Sequence, residues 1–284
     1  MRGFVQYVRR NPALGWGLGI LFILLLFSTA GRLFINPQHA YALSVKPDMP
    51  PSREYPFGTD SQGKDLLACI VLGTGMTLQI GAIAGLIGIG IGTILGFVSG
   101  YYGGVLDNII TSAVDIVLTM PGFLILVLIA SSLADPKKMS VPQMGLIVSV
   151  TAWAFPTRAI RAQVLSMRQR PFVMMAKLSA MSGPEIILKE LMPNLMPYLA
   201  TSLAGSVFGG VMGSLGLQGL GIGDRRQPYL GMIIWWIQYY SAFLRGMWWW
   251  IIAPVIVIIL LLTSLSLVSF GLDEIANPRT RREV

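Results

Sequence analysis

The sequence predicts an all-α integral membrane protein with six transmembrane helices and both termini in the cytoplasm. Three observations carry this expectation: few charges, six long apolar stretches, and an uneven distribution of lysine and arginine. Only 12% of the residues are charged and 54% are hydrophobic, with a mean hydropathy of +0.67. A soluble domain carries about 25% charged residues, so water is not this chain's only solvent. The net charge of +8 would suggest nucleic acid in a soluble protein. In a membrane protein it is accounted for by cationic inner loops, so the expected partner is the lipid bilayer and no nucleic acid. The 284 residues suffice for one helical bundle and leave no room for a separate catalytic domain. A single Cys69 excludes an intrachain disulfide, and with one His39 there is no Cys/His metal cluster.

The first apolar stretch, residues 13–35, follows Arg2, Arg9 and Arg10. A signal peptide starts similarly, but its apolar core is about 7–15 residues and ends at a small-residue cleavage site. Here the run is longer and passes into "RLFI", so it is expected to stay as a span, which needs about 20 residues. The remaining stretches lie near 76–100, 108–134, 141–165, 194–222 and 247–271. Residues 1–55 are read as an N-terminal span and the start of an outer loop, and 56–284 as a five-helix domain. Residues 224–246, "DRRQPYLGMIIWWIQYYSAFLRG", are too interrupted for a span but aromatic enough for an interface.

With the N-terminus inside, the inner segments hold twelve basic residues and the outer segments nine. The largest block, Arg158, Arg161, Arg168, Arg170, Lys177 and Lys189, then falls inside. The tryptophans and tyrosines at 235–240 and 248–250 cluster at the outer face, as an interfacial belt does. Two stretches carry glycine every four residues: Gly88, Gly92, Gly96 and Gly100, then Gly205, Gly209 and Gly213. Small residues at this spacing let helices approach closely, and the spacing fits static packing and a sliding surface equally well.

Catalytic constellations are absent from the sequence: no paired carboxylates, no Ser/His/Asp set and no metal-ligand spacing. "GTDSQGKD", residues 58–65, matches a phosphate-binding G-x-x-x-x-G-K frame but puts Asp65 where Ser or Thr should hold Mg²⁺. The preceding strand such a loop requires is missing too, and the charge count puts residues 36–75 outside, so the match is read as accidental. Asp115 is the one acid well inside a predicted span. Without a second buried charge, it suggests local hydrogen bonding near the cytoplasmic mouth rather than a proton relay. Residues 171–199, "PFVMMAKLSAMSGPEIILKELMPNLMPYL", read as a helix, a break at Ser182-Gly183-Pro184, and an amphipathic helix stopping at Pro193 and Pro197. Such a helix–turn–helix lies on the membrane face with apolar residues free for a partner.

This segment resembles the E-A-A loop of ABC-importer permeases. Ala176 matches the second alanine, Ile186 and Ile187 the paired isoleucines, and Leu191-Met192-Pro193-Asn194 the closing I-L-P-N of the dipeptide/oligopeptide branch. Upstream, Arg161, Leu165, Arg168, Phe172 and Val173 follow that branch's V-R-x-x-x-L-x-x-R-x-x-x-Y-V. Gly58, Thr59, Asp60, Gly63, Lys64 and Asp65 are similar to its P-L-G-T-D-x-x-G-R-D outer-loop motif. "GYYGGVLDNIITSAVDIVLTMPGFLI" (100–125), with Asp107 and Asp115, "GLGIG" (219–223) and the tail "GLDEIANPRTR" also resemble it. Met174 and Met175 stand where the glutamate and first alanine belong, Ala180 replaces the glycine, and Cys69, Gly75 and Ser112 replace arginines.

The resemblance implies a type I importer permease of the C-type branch in a bacterial or archaeal inner membrane. It implies pairing with a second homologous permease, two cytoplasmic ATPase subunits and an extracytoplasmic solute-binding protein. ATP and Mg²⁺ would be bound by the ATPases, with no cofactor on this chain. The ATPase-coupling residues, in segment 172–192 and its flank, would be Phe172, Met174, Met175, Ala176, Leu178, Ala180, Ser182, Gly183, Leu191 and Pro193. Asp107, Asp115, Arg161 and Arg168 would support the cytoplasmic side. Peptides are the implied cargo, with oligosaccharides or nickel chelates as the alternatives within the family. A self-contained secondary transporter would need inverted repeats, broken helices and paired buried charges, and none is visible in the sequence.

Overall fold

A computed structural model describes residues 11–133, 135 and 138–276. The basic residues Arg2, Arg9, Arg10, Lys137, Arg279, Arg281 and Arg282, and the end of the "GLDEIANPRTR" motif, lie outside the described residues. The described chain is helical, and its one β-bridge joins Thr59 to Asp65.

Helix α1 (Pro12–Thr29) starts where the Asn11 side chain accepts from Leu14 N–H at 3.2 Å, with Pro12 supplying a pre-set φ. After two short 3₁₀ turns and a long loop, α2 (Leu66–Tyr102) runs for 37 residues, about 55 Å at helical rise. Asp65 caps it, its carboxylate accepting from Leu67 N–H at 3.0 Å. The sequence places the start of this span ten residues later; the Asp65 cap brings 66–75 into the helix instead. Gly103 (φ +70°) and Gly104 (φ +62°) turn the chain into α3 (Gly104–Thr119).

The stretch expected as one span over 108–134 is broken. Helices α3 and α4 (Gly122–Ser131) meet at 84°. Met120, preceding Pro121, is forced to extended ψ (142°), which ends α3. The expected span over 141–165 is likewise divided into α5 (Val141–Ala152) and α6 (Ala154–Met167). Pro156 has no N–H to donate to Ala152 and its ring crowds that carbonyl, so the ladder is interrupted at Trp153. By length and composition, four helices among the described residues can cross a membrane, or five if α3 and α4 form one bent span.

Short α7 (Pro171–Leu178) and α8 (Gly183–Ile186) follow, and a π-turn (Ile187–Leu191) leads into α9 (Met192–Gly219). The sequence expects the helix to stop at Pro193 and Pro197. Instead it continues, because the wider π-turn accommodates Pro193, and Pro197 sits inside α9. Helices α10 (Leu230–Tyr239) and α11 (Trp248–Ala276) complete the described residues.

Helix α2 is the axis of the bundle, contacting α1, α3, α5, α6 and α9. Glycine makes the closest of these contacts possible. A Cβ on Gly88, Gly92, Gly96 or Gly100 would fall 2.7–2.9 Å from Ala152, Pro156, Ile160 and Val164 respectively. The two rows are both spaced by four residues, so one ridge sits in the other's groove. This first stripe is therefore tight packing. The second stripe differs in part: Gly209 has open space around it and Gly205 meets only Ser269 Oγ at 3.7 Å, whereas a Cβ on Gly213 would lie 3.1 Å from Val148.

Candidate coupling segment and outer cap

The C-terminal end of α2 carries the segment 171–195. Val173, Ala176, Ile186, Ile187, Leu191 and Leu195 are buried against Phe97, Ile160 and Val164. Gly183 abuts the Tyr101 and Tyr102 rings, with no room for a Cβ, and Lys177 Nζ lies 5.7 Å over the Tyr101 ring. The opposite face is bare. Met174, Met175, Leu178 and Leu188 are exposed, Leu178 at 82%. Helix α7 ends in a Schellman motif, with Met181 N–H donating to Ala176 O (3.2 Å) and Ala180 N–H to Lys177 O (3.1 Å). Ala180 takes the left-handed position (φ +57°) that glycine normally fills. Phe172 is partly buried beside this core. Ser182 caps α8 by backbone geometry, and Pro193 opens α9.

Polar links fasten the neighbouring helices. Asp107, in the first turn of α3, accepts two hydrogen bonds from Arg161 of α6, at 2.6 and 2.7 Å, and others from Ser99 and Thr111. Such a forked pair fixes direction as well as distance. Farther along α3, Asp115 pairs with Arg158, both half exposed. Asp115 thus has a charged partner that the sequence did not reveal, since Arg158 is 43 residues away. Arg168 donates to the Gly100 and Tyr101 carbonyls at 3.2 and 3.5 Å, capping the last turn of α2.

The other end of α2 is sealed by "GTDSQGKD". Thr59, Asp60, Lys64 and Asp65 are all buried. Thr59 Oγ1 donates to Lys46 O and accepts from Met49 N–H, both at 2.8 Å. Asp60 Oδ1 accepts from the Gln62 and Lys64 amides at 2.8 Å. Gly58 (φ +74°) and Gly63 (φ +71°) take left-handed conformations where a Cβ would strike Trp249 and Val45 O. Burial pushes the Asp60 carboxyl up to about 6, against the attraction of Lys64 and the two amides. Burial also raises Asp65, against its hydrogen bonds from the start of α2. The glycines and amides serve the chain's own turn, leaving no phosphate cradle. Cys69, at an arginine position of the family, is fully enclosed. Gly75, at another, faces Ser28 and the Arg32 guanidinium, which fills the space instead.

Between the two ends, a cavity of about 480 Å³ opens among α4, α5, α6, α9 and α11. Hydroxyls of Thr151, Tyr198, Thr201, Ser202, Ser206 and Ser269 line it with Asp273, among Leu126, Val148 and Phe155. Gly205 and Gly209 form part of its wall, which explains why these two glycines of the second stripe meet no tight neighbour, whereas Gly213 packs against Val148 and Leu126. The spacing of Thr201, Gly205 and Gly209 carries this signal in the sequence, but only the fold distinguishes a cavity wall from a packed ridge. Among the described residues, no group of three or more His, Cys, Asp or Glu side chains could hold a metal.

Residues 92–282 match the family described as "Binding-protein-dependent transport system inner membrane component". The chain is 28% identical over 279 residues to the dipeptide transport system permease protein DppC of Bacillus subtilis, covering 97% of this chain and 84% of that one. It is 30% identical over 189 residues to the DppC of Alkalihalophilus pseudofirmus, covering 66% of this chain and 61% of the relative. Against the oligopeptide transport system permease protein OppC of Bacillus subtilis it is 27% identical over 186 residues, 66% of this chain and 60% of the relative. The helical bundle, the 171–195 segment and the matched length agree: this chain belongs to the binding-protein-dependent transport system inner membrane component family, the ABC-importer permeases, on their C-type branch.

Proposed function

We propose that the chain is one permease subunit of an ATP-driven importer that moves peptides across a bacterial or archaeal inner membrane. It pairs with a second, homologous permease, and an extracytoplasmic binding protein delivers the cargo. The peptide assignment follows the names of the dipeptide and oligopeptide permease relatives. In this reading the chain crosses the membrane six times with both termini inside, α5 and α6 together making one crossing. It catalyses no bond change of its own, and two cytoplasmic ATPases bind and hydrolyse MgATP.

One observation carries the reading: the bare apolar face of Met174, Met175, Leu178 and Leu188 on a segment whose other face is locked into the bundle. A partner gripping that face moves α2 and α6 with it, because Ala176, Ile186 and Leu191 pack on Phe97, Ile160 and Val164. The Asp107–Arg161 fork carries the displacement on to α3. The family's glutamate is Met174 here, so this subunit's grip is apolar. The hydroxyl-lined cavity beside α9 is this subunit's share of the solute path, its Ser and Thr groups matching a polar, uncharged peptide backbone.

Leu178→Asp tests this. The side chain is exposed, so the folded chain and its pairing with the second permease persist, while ATPase recovered on the tagged complex and peptide uptake both fall at least tenfold. Undiminished ATPase recovery and uptake would overturn the docking assignment.

A further inference from the structure

The N-terminal end of α2 holds a second cavity, of about 460 Å³, that the transport reading does not use. Tyr41, Ala42, Gln62, Lys64, Arg225, Arg226 and Trp236 line it. Its size is that of small-molecule sites, about 300–1,000 Å³. Three cations converge there. Lys64 is 3% exposed, and its Nζ lies 5.5 Å over the Trp236 ring. That ammonium makes no hydrogen bond or close ion pair among the described residues, though it attracts the Asp60 carboxylate, whose Oδ1 is taken up by backbone amides. Arg225 stacks on Trp235 at 4.3 Å and spends one N–H on Gly221 O at 3.3 Å, and the rest of its fork has no partner among the described residues. Arg226 stands at the rim, its Nε 3.4 Å from Asp224. A buried ammonium, an oriented guanidinium and an aromatic wall together form a receptor for an anionic oxygen pair.

We propose that this cleft binds a carboxylate, and that its ligand is the C-terminal carboxylate of a small peptide waiting at the end of the bundle opposite the coupling segment. The assignment rests on the peptide reading above, since every unblocked peptide carries that group. An anionic lipid headgroup offers similar oxygens, but apart from Trp236 of α10 the cleft is walled by segments 41–64 and 224–226.

The full chain in phosphatidylcholine nanodiscs is titrated with dialanine and with dialanine amide, read by the fluorescence of Trp235 and Trp236. Dialanine binds at least tenfold more tightly than its amide, and Arg226→Gln or Lys64→Met removes most of that preference. Arg226 is on the surface, so its variant stays readable if the buried Lys64→Met does not fold. Equal binding of acid and amide overturns the proposal. So does a dialanine isotherm displaced by phosphatidylglycerol in the disc, which would make the cleft a lipid site. Uptake by the assembled transporter separates the two readings. Equal import of acid and amide removes the cleft's role and leaves the peptide permease standing, whereas import of neither removes the peptide reading itself.

Discussion

At the N-terminal end of α2, Thr59, Asp60, Lys64 and Asp65 are buried, whereas at its C-terminal end Met174, Met175 and Leu178 are exposed. The polar residues are inside at one end, and the apolar residues are outside at the other. Both arrangements invert the usual preference, and for different reasons. Buried polar groups persist when they are hydrogen-bonded, and Thr59, Asp60 and Asp65 bond to the backbone of the loop and of α2, with only the Lys64 ammonium of these four left over among the described residues. In the proposed function, the exposed apolar face of Met174, Met175 and Leu178 is the surface that a partner grips. The outer cap should therefore be sensitive in stability, and the coupling face in function.

The largest effect expected from that contrast is at Gly63. Replacing it with alanine puts a Cβ into Val45 O at φ +71°. The left-handed backbone costs about 1–2 kcal/mol and the overpacking about 1–3 kcal/mol more. Thermal unfolding in detergent should then show a large drop in midpoint. Met175→Ala, exposed at the other end, should stay within about 0.5 kcal/mol of the parent. Comparable losses in both variants would break the contrast.

A smaller effect is expected from pH. The Asp60 carboxyl titrates near 6 in the folded chain and near 3.8 when exposed. Between those values the folded state binds more protons than the unfolded state, so stability falls as pH rises from about 4 to about 6 and is level above. The whole change is at most about 3 kcal/mol, each tenfold change in proton affinity being worth about 1.36 kcal/mol. Asp60→Asn, which keeps the acceptor oxygen, should flatten the profile of unfolding midpoint between pH 4 and pH 7. A profile that keeps its slope in this variant would place the titrating group elsewhere.

Local sequence signals carried much of this architecture. The apolar runs found α1, α2, α9 and α11, and the four-residue glycine spacing found the ridge that α6 packs against. What spacing could not give was any fact that depends on a distant partner. Asp107 and Arg161 are each visible as candidates, but 54 residues separate them and only the packing of α3 on α6 makes them a pair. Arg158 has no signal at all until Asp115 is set beside it. The breaks at Met120 and Trp153 have local causes in Pro121 and Pro156, but the apolar runs continue across both prolines and read as unbroken spans. The outer motif shows the same limit: its residues are legible, and their burial is not. Charge in a loop suggests an exposed surface until the loop is seen to close on itself.

The smallest expected effect lies at Ala180 and refines the contrast. Within the 58–65 loop both left-handed positions, 58 and 63, are glycines, although Leu43 and Asp48, whose amides bond to that loop, are left-handed as well. The coupling segment closes α7 with the same kind of conformation but uses alanine, at φ +57°. Every other part of the Schellman motif is in place, including the contact of Met181 with the same core as Ala176. Ala180→Gly therefore removes only the Cβ strain, about 1–2 kcal/mol, less up to about 1 kcal/mol for the greater freedom of glycine in the unfolded chain. The net gain should be about 0.5–1 kcal/mol, confined to α7 and its turn. Hydrogen exchange is the appropriate measurement, because local opening of α7 lies far below global unfolding. Amides of Lys177 to Met181 should exchange several-fold more slowly, with those of α2 unchanged. Faster exchange would mean that the alanine is held by packing rather than tolerated against strain. The coupling end would then be as closely fitted as the outer cap, and the contrast between them would rest on surface chemistry alone.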